Sequence, residues 1–345
     1  MSLNALTREI QVGFGKLRQT DIATDAIAAE CWKLNKLNAD YVNPQFITED
    51  NAAEYGKGHE FATESHKSHV KVGPFNLEKY LSAEIIAWAC GFGLGSPTKS
   101  GSTPNFIYTC VPLVKTTAGL ELPYFTFIEQ IRSGADTILD RAYVGCALNS
   151  FEVNVVTGPG RGSSKITMQM LGSGKITEPS AIELPAATVE KLLPSASLAL
   201  SIISVDYITL KDIVSLAWGW NNNLIEDTMF YPGSGTQDGY AIGGRIESGD
   251  RTPTLNFVVR VHKDSAEYTK LMAQTTGTAV ITQTYDSNNT YTATFQQVGF
   301  TAVDMGEANG IVTVSVRCSV QSHATNGVLS VVAKAATDGI CDTPA

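Results

Sequence analysis

The sequence predicts a mainly β protein in which two β-sandwich or barrel domains follow one another, each with one α-helix on its flank. Apolar and polar residues alternate with a period of two over many short runs, and turn-forming residues separate these runs. Only two segments show the three- and four-residue spacing of apolar residues that is typical of a helix. Each of the two lies between strand patterns, which suggests that one domain plan occurs twice.

The first predicted helix lies in FNLEKYLSAEIIAWACG, residues 75–91. Apolar residues from Leu77 to Ala89 recur at helical steps, and charged residues lie between them. Asn76 is a suitable N-cap, and Gly91 is a suitable stop. We therefore expect the helix to begin at Asn76.

The second predicted helix lies in KDSAEYTKLMAQTTG. Asp264 or Ser265 can cap its N-terminus. Tyr268, Leu271 and Met272 form a narrow apolar stripe. The segment therefore predicts a short helix with one buried face.

Two β-hairpins are predicted, one after each helix. The stretch VTGPGRGSSK is rich in Gly and Ser, but a phosphate-binding loop needs glycine where Ser163 stands and a helix where an alternating strand follows. Alternation on both sides instead predicts a hairpin that turns at 158–162. The stretch TAVDMGEANGIVTVSV predicts a second hairpin that turns at 304–310.

The order of strand, helix, strand and hairpin thus occurs twice, which predicts a tandem duplication. The first copy carries an additional irregular stretch rich in Gly, Pro and Ser. The predicted segments are an N-terminal arm (1–29), a first domain (30–175) with an insertion near 95–140, a connector (176–203), a second domain (204–323) and a C-terminal tail (324–345).

Composition excludes several function classes. The chain has 345 residues and a net charge of −9, and it has no basic stripe for gripping nucleic acid. Its six cysteines are scattered without a CxxC pair, so we expect no disulfide framework. No signal peptide and no membrane span is predicted, and we expect synthesis in a reducing cytoplasm.

No motif indicates catalysis. His59, His66 and His69 cluster in the sequence, but strand alternation points the last two to opposite faces, which argues against a metal site. The glycines at 91–96 follow a predicted helix, whereas a dinucleotide fingerprint precedes one. No G-x-S-x-G elbow occurs. We expect no enzyme activity, no metal and no cofactor.

Several stretches resemble the major tail tube proteins of tailed bacteriophages, of the larger kind with about twice the minimal tube domain. The resemblance covers about 30–323. It is carried by PFNLEKYLSAEIIAWACGFG, by VGCALNSFEVNVV with SSKITMQMLGSGKI, by WGWNNNLIED, and by ESGDRTPTLNFVVRVHKDSAEYTKLM.

The resemblance implies a structural virion protein that polymerises with itself. Its rings stack into a tail tube, through which DNA and the tape-measure protein pass, and a tail terminator protein is a further partner. A duplicated domain implies three chains per ring with pseudo-sixfold symmetry, and a single domain implies six. The acidic composition predicts a lumen lined with carboxylates, which repel the DNA phosphates.

Long polar segments with little regular pattern are expected to form the contacts between rings. The strongest candidate is 41–58, and the N-terminal segment 1–28 and C-terminal segment 324–345 are further candidates. The predicted interaction residues are Asn43, Pro44, Thr48, Glu49, Asp50, Tyr55, Arg161 and Lys165.

Two alternatives stay open. One is a tube component of a contractile injection or secretion machine, which has the same fold but no DNA cargo. The other is a carbohydrate-binding β-sandwich on a virion or cell surface, which predicts exposed aromatic side chains on one sheet face. Trp218 and Trp220 have the spacing for that role.

Deletion of 44–56 tests the predicted ring contact. The shortened chain should stay folded but no longer polymerise, because the polar contact between rings is gone. Electron microscopy of the purified variant measures this. Tubes of normal length would exclude the segment as a ring contact.

Overall fold

A computed structural model describes most of the chain. The residues outside the description are 1–9, 20, 24–30, 35–36, 38–40, 54–60, 63, 96, 115–121, 134–135, 158–161, 179–183, 185–189, 208–212, 227–228, 232–234, 262–265, 309 and 343–345. Strands dominate the described part, and the predicted mainly β class is confirmed.

The described elements fall into two halves that are joined by a connector with a short 3₁₀ turn at Ser195–Ser197. The first half contains β1 (Ile10–Gly15), β2 (Cys31–Leu34), β3 (Gln45–Asp50), β4 (Ser65–Tyr80), α1 (Ala83–Leu94), β5 (Thr98–Ser102), β6 (Asn105–Cys110), β7 (Phe125–Ser133), β8 (Asp136–Val156), β9 (Lys165–Gly172) and β10 (Lys175–Thr177). The second half contains β11 (Ala199–Ile202), β12 (Val205–Asp206), β13 (Ile213–Asn221), β14 (Leu224–Ile225), β15 (Thr236–Gln237), β16 (Tyr240–Ala241), β17 (Glu247–Ser248), β18 (Thr252–Arg260), α2 (Glu267–Met272), β19 (Thr276–Asp286), β20 (Asn289–Ala308), β21 (Ile311–Gln321) and β22 (Leu329–Ala335).

One antiparallel sheet, which we call the long sheet, runs through both halves. Its strand order is β4–β9–β8–β13–β18–β21–β20. Alternate residues of these strands are buried, for example Phe151 and Val153 on β8 and Leu255 and Phe257 on β18. The other face of the long sheet is therefore polar and accessible.

Two smaller sheets pack over the buried face of the long sheet. One has the order β2–β1–β7–β8–β10, and the other has the order β5–β6–β22–β20–β19–β11–β12. Each of the long strands β8 and β20 belongs to a small sheet at one end and to the long sheet at the other. The strand bends where it passes from one sheet into the other. In β8 the switch occurs at Gly145, whose φ is +65° and where a Cβ would lie 2.2 Å from the Ile22 carbonyl oxygen.

The pairings of the first half recur in the second. β1 pairs with β2 and β7 as β11 pairs with β12 and β19, and β10 pairs with β8 as β22 pairs with β20. Register agrees as well. On β8 a bulge lies just before Ser150, which faces Gln169 on β9. On β20 a bulge lies at the equivalent place, just before Ala302, which faces Arg317 on β21. The chain thus contains one structural plan twice, in a first repeat (10–177) and a second repeat (199–335).

This repeat is wider than the predicted domains. It starts with β1 in the predicted N-terminal arm, restarts with β11 in the predicted connector, and ends with β22 in the predicted C-terminal tail. The predicted irregular insertion is wrong in part. β7 lies within 95–140 but is a repeat strand equivalent to β19, so the additional structure is the β5–β6 hairpin.

The predicted start of the first helix is also wrong. β4 continues to Tyr80, and α1 begins after Ser82, whose hydroxyl accepts a hydrogen bond from the Ile85 amide. Asn76 lies within the strand and faces Gln169 on β9. The apolar residues of this segment fit both the helical and the strand spacing. The segment forms a strand because the ladder to β9 pairs its backbone groups.

The second helix is confirmed as α2, although its predicted cap residues, Asp264 and Ser265, lie outside the described residues. Both hairpins are confirmed by the β8–β9 and β20–β21 ladders. The second turn is shorter than predicted, since β20 continues through Asp304 to Ala308, which faces Ile311. In the described part of the chain, no helix is long and apolar enough to cross a bilayer.

A buried ion pair attaches the connector to the first repeat. The Lys79 ammonium, 2% exposed, lies 2.7 Å and 2.5 Å from the two carboxylate oxygens of Glu190, and the Ser82 hydroxyl donates to the same carboxylate. Burial lowers the pKa of Lys79, and Glu190 opposes that effect. Burial raises the pKa of the neighbouring Glu84. The second repeat has Val259 at the place of Lys79, so the pair is specific to the first repeat.

Glu190→Gln should lower the free energy of unfolding by about 3–5 kcal/mol, because it leaves the buried ammonium without its counter-charge. Lys79→Val combined with Glu190→Gln should recover most of the loss, as Val259 illustrates. Denaturant unfolding at pH 7 measures both variants.

The loss in Glu190→Gln should shrink at alkaline pH. Without Glu190, burial lowers the folded-state pKa of Lys79 unopposed. The folded variant then releases this proton at a lower pH than the unfolded chain does, so the free energy of unfolding of the variant rises with pH up to the unfolded pKa of about 10.4. An equal loss at pH 7 and pH 10 would show that the ion pair is not the cause.

Candidate assembly interface

The two repeats join through a ladder between β8 and β13. Seven residue pairs form it, from Ser215 opposite Val156 to Asn221 opposite Ser150. Beneath the ladder, the buried Trp218 indole packs edge-on against Phe151, with ring centroids 5.8 Å apart. Backbone hydrogen bonds and an aromatic core together make this junction continuous with the rest of the long sheet.

Helix α1 closes the junction on the core side. Its C-terminal turn accepts a hydrogen bond from the second repeat, since the Asn222 amide donates to the Gly93 carbonyl at 2.9 Å and to the Leu148 carbonyl at 3.0 Å. The helix also lies against β22. The β5–β6 hairpin adds a second ladder between the repeats, from β6 to β22.

The strand equivalent to this part of β8 has an open edge. β20 from 301 to 308 pairs with β21 on one side, and no described residue forms a ladder with its other side. Met305 is 69% exposed there, whereas its counterpart Val153 is buried beside β13. An uncovered strand edge of this length invites pairing with another chain.

The direction of the open backbone groups follows from the first repeat. The Thr157 amide donates to the Val214 carbonyl on β13, so every second residue before Thr157, including Val155 and Val153, directs its amide toward β13. Their counterparts on β20 are Glu307 and Met305. These residues therefore present their amides and carbonyls at the open edge.

The opposite end of the long sheet is the outer edge of β4. β4 corresponds to β18, and β18 carries β13 on this side. At β4, the Leu37 amide donates to the Glu78 carbonyl at 2.8 Å, so Leu37 borders β4 at the place where Ser215 of β13 borders β18. The chain thus ends in two unlike edges, one at β20 and one beside β4.

The predicted interaction residues separate into groups. Thr48, Glu49 and Asp50 lie on the exposed strand β3, which pairs with the N-terminal half of β4, and Asn43 is exposed just before it. Glu49 lies 3.7 Å from His66. These residues form a projecting hairpin rather than a binding pocket.

The remaining predicted residues lie elsewhere. Pro44 lines a cleft, described next. Lys165 lies on the polar face of the long sheet, where its ammonium is 2.8 Å from Glu78. Tyr55 and Arg161 lie outside the described residues. The structure therefore does not bring Lys165 together with the β3 group.

A cleft of about 500 Å³ lies between β3, β10 and the β15–β16 hairpin. Phe46, 48% exposed, packs edge-on against Tyr240 at 6.1 Å, and the Lys67 ammonium lies 4.6 Å from the Phe46 ring centre. Arg141 and Glu178 lie 3.7 Å apart at another part of the lining. Sequence reasoning missed this cleft because its walls come from both repeats.

Two further sequence expectations concern ligands. Trp218 and Trp220 are both buried, so this pair does not form an exposed aromatic surface. His66 is exposed and His69 packs against Phe230 at 4.3 Å, while His59 lies outside the description. Among the described residues, no group of three or more His, Cys, Asp or Glu side chains is placed to hold a metal ion.

The chain matches no protein-family model, and a search of curated proteins finds no match. The feature with the clearest chemical consequence is the pair of unlike sheet edges, because strand edges recognise other strands.

Met305→Pro tests the open edge of β20. Proline removes an amide that faces outward and leaves the hydrogen bonds to β21 in place, so the monomer should unfold within a few degrees of the wild type while self-association is lost. Met305→Thr keeps the amide and should still associate. Size-exclusion chromatography with light scattering, together with thermal unfolding, measures both; equal association of the two variants would exclude edge pairing.

Proposed function

We propose that the protein is a structural subunit whose copies join head to tail through strand pairing and form closed rings. In this proposal the open edge of β20 in one copy pairs with the next copy where Leu37 borders β4, which is the place that β13 takes beside β18. The observation that carries the proposal is the β8–β13 ladder, since the same edge of the second repeat has no ladder partner among the described residues.

Two unlike edges make a heterologous interface, which generates a ring if the rotation between copies closes and a filament if it does not. Each chain already contains one such junction between its own repeats. A ring of three chains thus contains six nearly equivalent repeats and six junctions. The long sheets of all copies become one closed barrel without edges.

The polar face of the long sheet suits the wall of a channel. Among the described residues that pair within the long sheet, the charged side chains of this face balance: Glu78, Glu152, Asp304, Lys165, Arg260 and Arg317. Two of the three cations are paired, Lys165 with Glu78 and Arg317 with Asp304 at 3.7 Å. The predicted carboxylate lining is not found on this face.

Charge balance still favours passage of a polyanion. Binding to DNA grows with the number of phosphates that cations neutralise, and cations already paired with carboxylates neutralise few. The other side chains of the face are mainly hydroxyl and amide groups, such as Asn76, Thr167, Asn256 and Ser315. DNA therefore meets a hydrophilic wall without a strong hold.

These features support the role of a phage major tail tube protein, the family that the sequence resembles. In this role the rings stack into the tail tube of a virion, and DNA passes through the lumen on its way to the host. The exposed end of β3 at Thr48, Glu49 and Asp50 and the turn at 51–53, which project beyond the long sheet, are the proposed contacts between stacked rings. A tube in an injection machine would use the same ring geometry with another cargo.

Negative-stain electron microscopy of the concentrated protein tests the proposal. We expect rings or tubes with a central hole about as wide as a DNA duplex. Met305→Pro at the same concentration should give monomers only. A wild-type protein that stays monomeric at every concentration would overturn the proposed function.

A further inference from the structure

The two helices occupy equivalent places but are buried to different extents. All twelve residues of α1 are buried, and Glu84 is the one charged residue among them. In α2 only Glu267 is buried, while Tyr268 is 64% exposed and Met272 is 67% exposed. These two side chains lie four positions apart, so they share one face of the helix.

The inner face of α2 is fully engaged within its own repeat. The Tyr207 hydroxyl donates to the buried Glu267 carboxylate at 2.9 Å, and the Lys270 ammonium donates to the Ile203 carbonyl at 2.6 Å. Leu271 packs against the core. The exposed Tyr268 and Met272 therefore do not result from a loosely placed helix; they belong to an outward face that lacks a partner among the described residues.

The first repeat identifies what covers this position. α1 lies against β22, which belongs to the next repeat along the chain. The counterpart of β22 in the first repeat is β10. In a head-to-tail pair of copies, the next repeat after α2 is the first repeat of the neighbouring copy, so α2 faces that copy's β10.

The surface around β10 is suited to side chains rather than to another strand. In the first junction β6 pairs with the edge of β22, but the second repeat has no counterpart of the β5–β6 hairpin, since β19 begins four residues after α2 ends. The corresponding edge of β10 is already occupied. The Ile176 amide donates to the Gln237 side-chain oxygen at 3.1 Å, and its carbonyl accepts from the Gln237 amide.

The cleft beside β10 offers the apolar surface that α2 requires. Ile176 and the exposed ring of Phe46 line it, with Tyr240 behind. Lys67 and Arg141 also line the cleft and can hydrogen-bond a phenol hydroxyl. Apolar residues with a polar rim are typical of the centre of a protein–protein interface.

We propose that the Tyr268–Met272 face of α2 docks into the β10 cleft of a second copy of this chain. The proposal rests on the head-to-tail assembly of the proposed function and adds a second contact to the strand pairing at β20. The interface is heterologous, so each copy carries one donor face and one acceptor cleft.

Complementary variants test the docking. The donor variant is Tyr268→Glu with Met272→Glu, and the acceptor variant is Phe46→Glu with Thr177→Glu. Each changes side chains that are at least partly exposed, so both should fold, which circular dichroism and thermal unfolding check. Each alone should raise the concentration needed for assembly at least tenfold, as measured by sedimentation velocity. Tyr285→Glu, at the exposed end of β19, is the control and should assemble like the wild type.

An equimolar mixture of the two variants is the decisive measurement. The acceptor variant keeps its α2 face and the donor variant keeps its cleft, so the mixture should form a 1:1 dimer that grows no further. Two folded variants that fail alone and form no mixed dimer would overturn the docking.

The two proposals fail in different ways. A donor variant that assembles like the wild type would also overturn the docking but would leave the proposed ring assembly intact. A wild-type chain that never associates would overturn both.

Discussion

The backbone ladder between β8 and β13 is the interaction on which the rest of the structure depends. It makes one sheet out of two repeats, and it satisfies the backbone groups of an edge that would otherwise meet water or another chain. The equivalent edge of β20 has the same register but no ladder partner among the described residues. Monomeric proteins commonly protect such an edge with lysine, proline or a covering loop. The described part of this edge carries neither lysine nor proline, and Met305 is exposed on it. An edge built in this way is more consistent with a partner than with permanent exposure.

The duplication also explains why equivalent positions hold different residues. Register is shared, because a one-residue slip would move every core side chain to the other face of the sheet. Side chains diverge where the surroundings differ. Lys79 stands at the place of Val259 because the connector brings Glu190 to that point, and α1 is buried on all sides because the second repeat covers it. The differences between equivalent side chains thus indicate which surfaces are internal junctions and which face outward.

Local patterns predicted the β class and both hairpins, because alternation and turn residues lie within short windows. They failed for residues 76–80, where Leu77 and Tyr80 fit helical spacing and only the distant ladder to β9 favours a strand. They also failed for β22, which joins β20 and the β5–β6 hairpin from a range that reads as a tail. The predicted contact residues on β3 were found as a polar stretch, but the cleft and the open edge depend on pairings between distant segments, which no short window contains.

The charge pattern shows why net charge is a poor guide to a surface. A net charge of −9 predicts that the surface in general repels a polyanion, yet the described residues that pair within the long sheet place three anions and three cations on its polar face. The Lys165–Glu78 and Arg317–Asp304 pairs place opposite charges within 4 Å, so their fields cancel at distances beyond a Debye length of about 8–10 Å. The acidic excess must therefore lie on other surfaces. A polyanion that moves along this face is neither strongly repelled nor tightly bound. Weak binding is the property that a conduit requires, because tightly bound phosphates would stop its cargo.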